Sequence, residues 1–199
     1  MIHKISYYFS IKLSSNTDEQ EILQYGFECL INSIIPISFF LLFAILQNIF
    51  LETLIWITLF LLLRNYIGGY HASTSNRCIV LSTLYGLFMI LCIKYIHSVH
   101  LFIEVLICSI ITIYHIIFGT ILNDKDLVIN YKKYKLLSLI IILIESIFII
   151  VFNLNSCRLH LCIFISMISA ELLHYIEKII NNYTQKSSLI INKILYIFI

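Results

Sequence analysis

The chain is predicted to be an all-α, polytopic membrane bundle, and three observations predict it. Its 199 residues are 60% hydrophobic and only 12% charged. Soluble domains are roughly 45–50% apolar and about 25% charged, so one soluble core of this size cannot absorb the excess. The mean hydropathy is +0.96. The long Ile/Leu/Phe runs are apolar on every side and hold a single proline. Membrane strands would instead alternate over about ten residues.

The N-terminal stretch, M-I-H-K-I-S-Y-Y-F-S-I-K-L, interleaves polar and apolar residues with no small-residue cleavage site after it, so it does not read as a signal peptide. Ile2, Ile5, Phe9 and Leu13 fall near helical spacing with Lys4 and Lys12 elsewhere. Residues 1–21 therefore read as an amphipathic interfacial segment. Six membrane helices follow, at Cys29–Leu46, Ile49–Leu63, Ile79–Ile96, Val99–Leu122, Leu136–Phe152 and Leu161–Ile180. Each approaches the ~20 residues that cross the hydrocarbon, the second and fifth being short. The tail, L-I-I-N-K-I-L-Y-I-F-I, is too short to span and is expected on the membrane surface. No repeat or linker marks a second domain, so residues 1–199 read as one.

Orientation follows from the basic residues. With the N-terminus cytoplasmic and six crossings, eleven Lys/Arg face inward and only Lys94 and Arg158 face outward. That places the 64–78 segment and the basic loop 123–135 on the cytoplasmic side of a cell membrane. Net charge is +2 with no basic block, which gives no support for a nucleic-acid partner.

Cys29, Cys92 and Cys108 sit inside apolar runs and read as small hydrophobes. Cys157 and Cys162 bracket R-L-H-L, but no second ligand pair stands elsewhere to complete a zinc site. No metal or other cofactor is predicted. Glu28, Glu52, Glu104, Glu145 and Glu171 are costly in lipid and should face the bundle or an interface. Glu171, His174 and Glu177 share one helical face, either an interfacial polar stripe or a metal or proton site.

The chemistry concentrates in R-N-Y-I-G-G-Y-H-A-S-T-S-N-R-C at 64–78, a polar island between apolar helices. It holds His71 and Cys78, the elements of thiol-dependent acyl transfer. On a continuous helix the two would lie ~10 Å apart along the axis and could not meet. Gly68-Gly69 and Ser73-Thr74-Ser75-Asn76 are the residues expected where a helix breaks, and a turn there can bring imidazole to thiol. Arg64 is either an interfacial anchor or a group that holds a substrate carboxylate or carbonyl. Gly68 and Gly69 either supply oxyanion-hole N–H groups or only the bend. The residues alone also fit a peptide exporter without proteolytic activity, a membrane scaffold or sensor, or a metal-dependent hydrolase. The last needs more convergent ligands than His71 and Cys78.

The run R-x(4)-G-x-H-x(6)-C, from Arg64 to Cys78, resembles the signature of the accessory gene regulator protein B family. These are integral-membrane cysteine endopeptidases that mature quorum-sensing peptides. The resemblance extends over most of the chain, through E-I-L-Q-Y-G-F-E at 21–28 and the basic segment N-D-K-D-L-V-I-N-Y-K-K-Y-K at 123–135. It implies that Cys78 is the nucleophile and His71 the catalytic histidine, with Arg64, Gly68 and Gly69 as the frame. It implies an autoinducing propeptide as substrate, cleaved through a thioester and cyclised to a lactone or thiolactone. Lys132, Lys133 and Lys135 become candidates to receive an acidic propeptide tail. A homodimer is compatible with the resemblance but is not required by composition. The family's loop usually carries prolines; this one has none, so peptide specificity is not carried over.

Overall fold

The computed structural model describes residues 2–68, 75–96, 98–119, 131–154 and 159–197, with side chains described up to residue 180. Among the described residues there are seven helices and no strand. They are α1 (Ile2–Leu13), α2 (Thr17–Leu46), α3 (Phe50–Ile67), α4 (Ser75–Tyr95), α5 (Leu101–Phe118), α6 (Tyr131–Leu154) and α7 (Leu159–Ile197). Six of them are long and apolar enough to cross a membrane, α2 through α7, with the candidate span of α7 ending at Ile180. The expected all-α multi-pass architecture is therefore what the chain adopts.

The helix ends differ from those expected from apolar runs alone. The first membrane helix begins at Thr17, twelve residues before Cys29. Asn16 caps it, its side chain accepting from the Asp18 N–H, and Asp18 and Glu19 complement the dipole of the first turn. The fourth membrane helix, α5, stops at Phe118 because Gly119 takes a left-handed φ of 68°. Lys132, Lys133 and Lys135, expected on a loop, belong to the first turns of α6. The tail expected on the membrane surface continues α7 without a break to Ile197, where no glycine or proline interrupts it.

By its contacts the chain falls into two compact units, one of Met1–Leu54 with His71–Tyr95 and one of Ile55–Tyr70 with Ile96–Ile199. In the first unit, α1 packs against α2 and α2 against α4. The α1 face that is buried carries Ser6 and Ser10, small residues that allow close approach. Ile5, Phe9 and Leu13 stay exposed, as an interfacial helix requires. Phe9 also meets Phe27 of α2, with ring centroids 5.5 Å apart. Between α2 and α4, Gly86 lies directly against the Phe40 ring. Lys94 of α4 donates to Gln47 at the end of α2.

In the second unit, α6 packs on both α5 and α7. Its apolar core includes Trp56, Leu63, Ile67, Ile142, Ile149 and Met167. The α7 span is the most enclosed of the six. Of the carboxylates expected to avoid lipid, Glu104, Glu145 and Glu171 are buried, while Glu28 and Glu52 are half-buried.

Candidate active site

The helix break expected within the island is present. α3 ends at Ile67, and Gly68 takes a φ of 82°, its N–H closing the last turn on the Arg64 carbonyl at 3.0 Å. A left-handed residue there suits glycine, since any Cβ would crowd the following carbonyl. The next helix starts at Ser75. One helix thus ends before Gly68 and another begins at Ser75, and residues 69–74 lie outside the described residues.

Cys78 is the fourth residue of α4, half-buried, with its thiol free of any disulfide. Its carbonyl accepts from the Ser82 hydroxyl at 2.7 Å. The N–H groups of a helix's first turn have no intrahelical acceptor and point outward from the N-terminus. They are a ready site for a developing oxyanion beside this residue. Arg64 is half-buried in the last turn of α3, its guanidinium 5.9 Å from the Phe60 ring centroid. Phe60 in turn stacks on Trp56. His71 and Gly69 lie outside the described residues.

The three lysines separate into two kinds. Lys132 and Lys133 are exposed, whereas Lys135 donates to the Ile116 carbonyl near the end of α5 at 2.8 Å. Lys135 thereby joins α6 to α5, which leaves Lys132 and Lys133 as the two able to meet a ligand. Tyr134, between Lys133 and Lys135, meets Tyr66 of α3 at 6.0 Å between centroids. Ile67 also faces the His174 ring of α7 through its carbonyl. The end of α3, the start of α6 and this part of α7 therefore share one face of the bundle.

A model of the family described as accessory gene regulator B matches residues 2–175. The chain belongs to this family. It is 37% identical over 100 residues to the AgrB-like protein of Clostridium perfringens (strain SM101 / Type A), covering 48% of this chain and 45% of that protein. It is equally similar to AgrB-like protein 2 of Clostridium perfringens (strain 13 / Type A). The chain thus aligns with about half the length of the curated relatives it matches. No solved structure matches it.

Glu104, Glu145 and Glu171, expected to face the bundle, are buried between α5, α6 and α7, together with His115 and His160, partners the sequence reading did not single out. His115 is fully buried, 3.4 Å from Glu171 and 2.6 Å from the Ser138 hydroxyl. Glu104 lies 3.4 Å from His160 and accepts from Asn153 at 2.8 Å. The signal was partly available. Glu104 and His115 are eleven residues apart, three turns of helix, and so are His160 and Glu171. Among the described residues, no three His, Cys, Asp or Glu side chains converge as metal ligands would.

Proposed function

We propose that this protein is a membrane cysteine endopeptidase that removes the C-terminal tail of a quorum-sensing propeptide and promotes its cyclisation. The observation that carries this reading is Cys78 in the first turn of α4, just past a helix break, in a chain of the accessory gene regulator B family. In the reaction, the Cys78 thiolate attacks the peptide carbonyl at the tail junction. His71 takes the thiol proton and delivers it to the leaving amine. The C–N bond breaks, the tail departs, and the peptide remains as a thioester on Cys78.

An internal Cys or Ser of the peptide then attacks that thioester, closing a thiolactone or lactone and restoring the thiol. First-turn N–H groups of α4 stabilise the tetrahedral oxyanion in both steps. Half-burial of Cys78 at a membrane edge limits water, which favours ring closure over hydrolysis. Arg64 and the Gly68-Gly69 pair hold the turn that presents His71. Lys132 and Lys133 attract the acidic tail. The protein acts in the cell membrane with the island on the cytoplasmic side, where the propeptide is made.

The test is intact mass spectrometry of the protein in lipid nanodiscs, mixed with the propeptide encoded beside its gene. A hydroxylamine-sensitive adduct on the wild type is expected, absent from Cys78→Ala and much reduced in His71→Ala. Intact propeptide and an unmodified, folded wild-type protein would overturn the assignment.

A further inference from the structure

Three levels of ionisable side chain line the inside of the α5–α6–α7 bundle, and none belongs to the thiol site. The first level is Glu104 at the start of α5, with His160 and Asn153. The third is His115 at the end of α5, with Glu171, Ser138 and His174, whose ring centroid is 6.2 Å from that of His115. The helical rise between Glu104 and His115, and between His160 and Glu171, puts these levels ~16 Å apart. Glu145 lies between them on α6, seven residues from Ser138 and eight from Asn153, or ~10–12 Å from each level.

Glu145 is 3% exposed, and neither carboxyl oxygen has a hydrogen-bond partner among the described residues. A carboxyl group left so in lipid-buried protein is expensive and marks an ion or proton path. Cys108, one turn beyond Glu104 on α5, lies within electrostatic reach of both Glu104 and Glu145, and Ser146 adjoins it. Around the third level stand Tyr114 and Lys178, the latter over the Phe118 and Tyr114 rings, and Glu177 one turn past His174. Every level thus pairs or juxtaposes groups that can take up and release a proton.

We propose that the α5–α6–α7 bundle conducts protons across the membrane, with Glu145 as the midpoint between the Glu104–His160 and His115–Glu171 pairs. A proton enters one pair, protonates the Glu145 carboxylate, and leaves through the other. Charge moves and no bond to carbon changes. The gaps on either side of Glu145 are too long for direct transfer, so hydroxyls and transient water carry the intermediate hops.

The experiment uses full-length protein in liposomes containing a trapped pH-sensitive dye, with a potassium gradient released by valinomycin. Wild-type vesicles are expected to change internal pH faster than protein-free vesicles while retaining trapped carboxyfluorescein. Glu145→Gln, similar in volume but unable to ionise, is expected to lose this flux at unchanged helicity and gel-filtration profile. Glu104→Gln serves as a second variant if Glu145→Gln does not reconstitute. Wild-type flux no faster than in protein-free vesicles, dye loss parallel to proton flux, or full flux in the reconstituted variant would each overturn the proposal.

Discussion

Placing a methyl group at Gly86 tests the packing that holds α4, and hence Cys78, in its unit. A Cβ built at Gly86 overlaps the Cζ, Cε1 and Cε2 carbons of Phe40 on α2. Two opposing terms set the outcome. Alanine is favoured over glycine inside a helix by ~0.8–1 kcal/mol. Overpacking an already filled contact costs about 1–3 kcal/mol. Because the overlap is with three ring atoms of a buried side chain, the steric term wins, and Gly86→Ala should destabilise by up to about 2 kcal/mol. The decisive measurement is the sign in a second background. In Phe40→Leu the ring is gone, so adding Gly86→Ala should become neutral or stabilising by up to ~1 kcal/mol. Thermal unfolding in nanodiscs, followed by circular dichroism, reads all four corners of the cycle. Equal destabilisation in both backgrounds would show that Gly86 and Phe40 are not in close contact, and the reasoning would fall.

Two further predictions concern the island and the lysines. Gly68→Ala forces a side chain into a φ of 82°, costing about 1–2 kcal/mol of stability. It should also depress thioester formation, and a variant with wild-type stability and full adduct yield would argue against a strict turn. Lys132→Glu with Lys133→Glu should raise KM for propeptide cleavage while leaving kcat nearly unchanged, an effect that shrinks with added salt. A KM that does not move would remove these lysines from the substrate contact.

Apolar runs made the six spans legible, because each is long enough to need lipid and too uniform to be strand. They could not locate ends governed by single polar residues. Asn16 starts α2 well upstream of its apolar stretch, and Gly119 ends α5 inside one. Both signals were written in the sequence as a cap followed by Asp18 and Glu19, and as a lone glycine. By charge alone Lys135 is indistinguishable from Lys132 and Lys133. Only the fold shows that it is committed to the Ile116 carbonyl. The break within 64–78 was legible because the residues expected to interrupt a helix flank His71. The pairing of Glu104 with His160 was not, because it joins residues fifty-six positions apart, a separation at which local pattern carries no information.

The length of α7 carries it beyond what a single membrane crossing requires. Its 39 residues make a rod ~58 Å long, about twice the ~30 Å thickness of the hydrocarbon. Even a tilt of ~40° leaves it longer than the membrane is thick. The backbone from 181 to 197 therefore stands clear of the span that ends at Ile180. It emerges on the face where Ile67 meets His174, beside the start of the island. Under the proposed function, a peptide reaching that face would meet this helical extension of α7, which would narrow the directions from which it can arrive.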